Sequence, residues 1–182
     1  MSNGQPTKPY PVGPDEKVTP VMVYTTNEIS WGEVVTKKII RVGAWLRTDM
    51  APTYVQLYKA QTYSLSSDGP ERPISLAELF IPVSHVVSFH VMPSVKEPLY
   101  YNPKEPNRKM EPVTVLIGLF QFTGYLHLST QSNLKQFLDV LREPFVPLHK
   151  VTITYPKMPP PGTLRVPFTV VRQSVALFAS GH

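Results

Sequence analysis

PVTVLIGLFQFTGYLHLSTQSNL, residues 112–134, contains no charged side chain, and His127 is its one titratable group in a chain with 18 Lys and Arg. A membrane-spanning helix needs about 20 mainly apolar residues. Here Thr114, Gln121, Thr123, Gly124, His127, Ser129 and Thr130 interrupt the apolar run. Tyr125-Leu126-His127-Leu128-Ser129 alternates polar with apolar, the period of a strand and not of a helix. Residues 113–122 are rich in β-branched and aromatic side chains, which pack well on a pleated surface. The stretch therefore predicts a strand, a tight turn at Thr123-Gly124 and a returning strand, a hairpin at the centre of a sheet, with no membrane span.

Around this hairpin the composition points the same way. The 182 residues are 42% hydrophobic and 17% charged, with nine Tyr, eight Phe and 21 Pro. That suits one medium domain or two small ones, tilted toward strands. Residues 1–20 hold five prolines and predict a disordered arm. Residues 93–112 hold five prolines and seven charges and predict a linker. A first β unit is expected over 21–92 and a second over 113–182.

The two halves resemble each other. IIRVGAWLR (39–47) aligns with VLIGLFQF (115–122) when Gly43 is set on Gly118. YVQLYKAQTY (54–63) then matches FVPLHKVTIT (145–154), with Lys59 on Lys150 and Tyr58 on His149. LFIPVSHVVSF (79–89) matches FTVVRQSVALF (168–178). The spacing implies about sixteen additional residues in the second half. These contain a capping-box pattern, Asn133 with Gln136, followed by Leu134, Phe137, Leu138 and Leu141 on one stripe and a stop at Pro144. A short helix over about 133–142 is predicted, and SLAEL (75–79) is a weak candidate for a short helical turn. The paired glycines Gly43 and Gly118 suggest a strand kink or a close backbone approach where a small sheet curls. The expected fold is mainly β with one short helix: two related small β-barrel-like or curled-sheet units in tandem, in pseudo-twofold relation.

The chemistry-bearing motifs are few. No cysteine is present, which removes disulfides and thiolate chemistry, and a cytoplasmic location is expected. His85, His90, His127, His149 and His182 form no metal-ligand spacing, with His85 and His90 expected on opposite faces of one strand. Phosphate-binding glycine loops and nucleophile elbows are missing, and no acid pair is suitably placed. The expectation is a protein without catalytic residues, cofactor or metal.

The net charge of +5 is concentrated at the C-terminal end. Residues 113–182 carry six Lys or Arg against Asp139 and Glu143. Tyr54, Tyr58, Lys59 and Tyr63 interleave aromatic and basic groups in the first half. His149, Lys150, Tyr155, Lys157 and Arg165 do so in the second. Such a face could stack single-stranded nucleic acid, as small barrels of the OB or Sm kind do, or could simply be an exposed strand surface. Ser129 and Asn133 are expected to end a strand and cap the helix.

The second half, with Gly118-Leu-Phe-Gln-Phe, Leu128-Ser129, Asn133-Leu-Lys-Gln-Phe-Leu, Phe145-Val-Pro-Leu and Val175-Ala-Leu-Phe, resembles a family of small, mainly-β bacterial domains of unknown function. The resemblance covers roughly residues 113–178 and implies no activity. The function expected is protein–protein interaction, as a scaffold or regulatory adaptor working through a sheet edge or the proline-rich loops, in a monomer with internal pseudo-symmetry or a homodimer. Single-stranded nucleic-acid binding and a small-ligand-binding barrel are the alternatives.

Overall fold

The computed structural model describes residues 10–65, 72–155 and 163–180. Its strands are β1 (Glu16–Tyr24), β2 (Glu28–Lys37), β3 (Tyr54–Ser64), β4 (Ile74–Pro82), β5 (Ser88–Val91), β6 (Arg108–Ile117), β7 (Phe120–Ser129), β8 (Phe145–Thr154), β9 (Thr163–Arg172) and β10 (Leu177–Ser180). One α-helix, α1 (Leu134–Val140), joins β7 to β8, and short 3₁₀ turns occupy Val42–Arg47, Val83–His85 and Gln173–Val175. All the ladders are antiparallel and form one sheet in the order β10-β6-β7-β8-β9-β5-β1-β2-β3-β4.

The fold is mainly β with one α-helix among the described residues. Barrel closure is corrected: among the described residues the sheet is open, with β4 and β10 at its two edges. The reason lies in β5. Its four residues all pair with β1 on one side, and Ser88 and Phe89 pair with β9 on the other. The edge on which the first half would close on itself is therefore taken by a strand of the second half.

The opening stretch forms β6 and β7, but its turn is not at Thr123-Gly124. Ile117 pairs with Phe120, leaving Gly118-Leu119 as a two-residue loop with Gly118 at φ +56°. Glycine takes that conformation without the Cβ clash other residues meet. Thr123 and Gly124 lie inside β7, opposite Thr114 and Val113. The lack of charge follows from the pleat: Phe120, Phe122, Leu126 and Leu128 are buried, while Gln121, Thr123 and Tyr125 between them face outward.

Other expectations also shift. Residues 42–47 are a 3₁₀ turn and not a strand, so Gly43 and Gly118 do not hold equivalent places. Nor are the residues around α1 an insertion, because each half has a helical segment in the same interval, Val42–Arg47 after β2 and α1 after β7. Residues 75–79 belong to β4, β1 begins inside the expected arm, and β6 begins inside the expected linker. His85 sits in an exposed 3₁₀ turn and His90 in buried β5. The helix is where the capping box predicts it: Gln136 N–H donates to Asn133 Oδ1 at 2.9 Å, and Asn133 N–H donates to Gln136 Oε1 at 3.0 Å. Ser129 is the last residue of β7, and its hydroxyl accepts from Gln131 N–H.

Two apolar cores lie on opposite sides of β1. Val21 and Val23 join Trp45, Leu46, Val55, Leu57 and Phe89 in one, and Tyr24 joins Phe120, Phe122, Leu126, Leu148 and Ile153 in the other. The strand's period of two sends successive side chains to opposite faces, so one central strand serves both cores. Each fully buried Leu or Phe contributes about 1.5–3 kcal/mol relative to exposure. Among the described residues no helix is long and apolar enough to cross a membrane.

Candidate functional site

Two bulges mark the places where the sequence interleaves aromatic and basic residues. Trp31 pairs with Gln61 and Glu33 with Tyr58, so Gly32 alone faces Lys59 and Ala60. In the second half Thr123 pairs with Thr152 and Tyr125 with His149, so Gly124 alone faces Lys150 and Val151. Lys59 and Lys150 take the left-handed conformation, φ 48° and 50°. Both glycines are required by close approach: a Cβ on Gly32 would lie 2.8 Å from the Tyr58 carbonyl oxygen, and one on Gly124 would lie 2.9 Å from that of His149. An extra residue bends a strand and re-aims its neighbours.

Each bulge is covered by a tyrosine from the segment preceding the half's first strand. Tyr10 stacks on Tyr58 with ring centroids 4.2 Å apart. Its hydroxyl donates to Glu33, which also accepts an ion pair from Lys59 Nζ at 3.2 Å. Burial and the Glu33 carboxylate push the Tyr10 hydroxyl pKa well above its ordinary value.

In the second half, Tyr101 lies 4.9 Å from His149 and 5.0 Å from His127, and Phe168 lies 5.2 Å from His149. Tyr100 stacks on Phe168 at 3.9 Å. The Tyr100 hydroxyl donates to Glu97 and accepts from Gly43 N–H at 3.1 Å. A side chain on Gly43 would overlap that hydroxyl, which is the close approach this glycine serves. The expected linker thus straps itself onto the sheet through Tyr100 and Tyr101, with Glu97 accepting from Tyr100 within the strap.

Beneath the strap is a cavity of about 250 Å³, lined by Gly43, Tyr100, Tyr101, His149, Lys150 and Phe168, among others. That is below the 300–1,000 Å³ usual for small-molecule sites. His149 is 4% exposed, and its pKa is pushed down to about 4 by burial, then by His127 and Arg47 nearby. It is neutral near pH 7. Among the described residues no cluster of three His, Asp or Glu could hold a metal ion.

The anticipated aromatic and basic residues do not come together as one stacking platform. Tyr58 is covered by Tyr10, His149 is buried, and Tyr155 is buried with its hydroxyl donating to the Leu65 carbonyl at 3.5 Å. Tyr63 is half-buried, Tyr54 is 51% exposed at the start of β3, and Lys59, Lys150 and Arg165 are exposed. Lys157 lies outside the described residues.

The sequence names a sheet edge as a route of interaction but not the strands that form it. β4, ISLAELFIP, has one charged side chain, Glu78, and β10, LFAS, has none. Ile74, Phe80, Val175 and Leu177 are 49%, 54%, 49% and 70% exposed along or beside them. Exposed edges are usually blunted by lysine, proline or inward charge. Here β4 carries only Glu78 and the end residue Pro82, and β10 is limited to four residues, with no lysine on either strand. A signal was present in the apolar, lysine-free character of both segments. No protein-family model, curated protein or solved structure matches the chain.

Proposed function

We propose that the chain is a non-catalytic interaction module that engages another protein chain by strand addition at its open sheet edges. The observation that carries this is the pairing of lysine-free edge strands with exposed apolar side chains, Phe80 on β4 and Leu177 on β10. A bare edge offers a row of N–H and C=O groups, and neighbouring side chains supply selectivity. The covered aromatic rings and the buried His149 favour this over a nucleic-acid site.

A tandem origin belongs to the same proposal, with the halves as two copies of one unit in pseudo-twofold relation. Its support is that β1, β2, β3, β4, the following 3₁₀ turn and β5 begin 92, 92, 91, 89, 90 and 89 residues before their counterparts in the second half. The left-handed lysines and their facing glycines repeat as well. A cytoplasmic setting completes the proposal. Affinity capture from nuclease-treated lysate tests it, comparing the wild type with the double variant Phe80→Lys/Leu177→Lys. The expected result is a bound chain, foreign or an untagged copy, that only the wild type retains. Identical profiles from the two baits would refute strand addition at these edges.

A further inference from the structure

The junction inside the chain shows what its outer edges are built to meet. β5 pairs antiparallel with β9, Ser88 opposite Val171 and Phe89 opposite Val170. β5 stands on β1 through Val23↔Phe89 and Tyr24↔Ser88, and β10 stands on β6 through Val115↔Phe178 and Leu116↔Leu177. Similarly, β9 stands on β8 through Val146↔Val171 and Leu148↔Thr169, and β4 stands on β3 through Val55↔Ile81 and Leu57↔Leu79. Each half therefore presents the same two edges. One edge of each is joined within the chain, and the other two, β10 and β4, are left open.

We infer that β10 of one copy pairs antiparallel with β4 of the next, head to tail, in the register Leu177↔Ile81 and Phe178↔Phe80. The inference rests on the edges being the interaction surface and names their occupant as a second copy of this chain. At the internal junction the Ser88 and Thr169 hydroxyls hydrogen-bond at 3.0 Å, and Thr169 Oγ1 also donates to the Phe89 carbonyl. The corresponding outer residues are Leu177 and Leu79, an apolar pair in place of a hydroxyl pair. Phe178 corresponds to the fully buried Phe89, and the exposed Phe80 corresponds to Val170.

One internal feature has no outer counterpart. Arg172 N–H donates to the Val87 carbonyl at 2.8 Å, and its guanidinium donates to the carbonyls of Val86 and Val83. Pro82 stands in its place. The outer ladder ends one residue earlier and depends more on its apolar contacts. Because β4 and β10 are different surfaces, the contact is heterologous, so repetition gives a ring if the rotation closes and a filament if it does not.

The absence of cysteine makes the register directly testable. Residues opposite one another in an antiparallel pair have Cα atoms about 4.5–5.5 Å apart, within disulfide reach. The purified Phe80→Cys/Phe178→Cys variant is expected to give a reductant-sensitive ladder of multimers on oxidation. The Ile74→Cys/Phe178→Cys variant, roughly 20 Å out of register, is expected to give none. By light scattering the wild type should exceed the 20.5 kDa of one chain, and Phe80→Lys and Leu177→Lys should each fall to it. Mixing those two variants should restore 1:1 dimers and nothing larger, because each keeps the edge that the other lacks. Circular dichroism and melting confirm that each variant is folded. Should Phe80→Lys fail to fold, the cysteine ladder and Leu177→Lys, at an exposed site on a short end strand, still decide the matter.

A wild type that stays monomeric at high micromolar concentration with no ladder overturns the inference. So does a single lysine variant that still forms homodimers. If the wild type is monomeric yet lysate capture recovers a foreign chain lost on edge blocking, self-pairing fails while the interaction module stands. If capture is also indifferent to edge blocking, both fail.

Discussion

Stability should fall as the pH drops from 7.5 to 5, and two buried histidines set the size of the fall. His90 Nδ1 donates to the Val91 carbonyl at 2.9 Å, and Nε2 accepts from the Tyr24 hydroxyl at 3.0 Å. That arrangement satisfies the neutral ring. Burial is the leading cause that pushes the pKa of both His90 and His149 down to about 4, from an ordinary 6.5. The sign follows from proton counting: as pH falls through 6.5 the unfolded chain binds protons that the folded chain refuses, so stability is intact above that value and lost down toward pH 4. At pH 5 each histidine costs about 2 kcal/mol relative to neutral pH, and the two together about 4 kcal/mol, a large part of a typical folding free energy. Urea unfolding at pH 7.5 and pH 5 measures this, and comparison with His149→Phe at equal protein concentration isolates one histidine. The variant should lose about 2 kcal/mol less than the wild type over the interval. An identical loss in the two proteins would refute the assignment of His149 as a group held neutral by burial and by the neighbouring His127 and Arg47.

The remaining predictions concern local geometry. Gly124→Ala sets a Cβ against the His149 carbonyl and should cost about 1–3 kcal/mol in urea unfolding. Gly118→Ala meets no atom closer than the Thr26 carbonyl at 4.0 Å and should cost only the left-handed strain, about 1–2 kcal/mol. Lys150→Gly should leave stability nearly unchanged and Lys150→Val should lower it by about 2 kcal/mol, because a β-branched residue is disfavoured at φ 50°. Equal stabilities for these two variants would contradict the bulge. Asn133→Ala removes the capping box of α1 and should cost about 1 kcal/mol, with exchange of the Gln136 amide accelerated.

The sequence exposed what depends on short-range pattern. The period-two alternation in Phe120–Ser129 and the Asn133/Gln136 capping box are local signals, and each element stands where its pattern lies. Glycine was harder to interpret, because a turn, a kink and a bulge all use it for different reasons. Thr123-Gly124 looks like a turn, yet Gly124 is needed because a bulged neighbouring strand brings the His149 carbonyl against it. That neighbour is 25 residues away in sequence, and no local pattern encodes the approach. Gly43 is similar, its partner being the Tyr100 hydroxyl. The alignment of Lys59 with Lys150 placed two residues of the same conformation together, but nothing in it showed that both are left-handed. A sheet edge was expected, but its identity as β4 and β10 could not be read, because edge status belongs to strand order, which β5 sets by pairing with β9.

The chemical contrast between the inner and outer junctions follows from tethering. Within one chain, β5 and β9 meet at the effective concentration that a covalent connection provides, so a short ladder with hydroxyl and guanidinium hydrogen bonds suffices. Two separate copies lack that advantage and must offset an association cost of about 4–15 kcal/mol. Hydrogen bonds exchanged with water contribute only about 1 kcal/mol each, whereas burying a Leu or Phe side chain contributes about 1.5–3 kcal/mol. An outer junction of the same length is therefore expected to exchange polar residues for apolar ones, and Leu177, Leu79 and Phe80 stand where Ser88, Thr169 and Val170 do. Leu79 is already half-buried and Phe80 and Leu177 are 54% and 70% exposed, so the three together supply roughly 2–5 kcal/mol, at the low end of the association cost. A single head-to-tail contact should consequently be weak. An assembly that closes on itself should appear cooperatively with concentration, because the last contact forms within one particle.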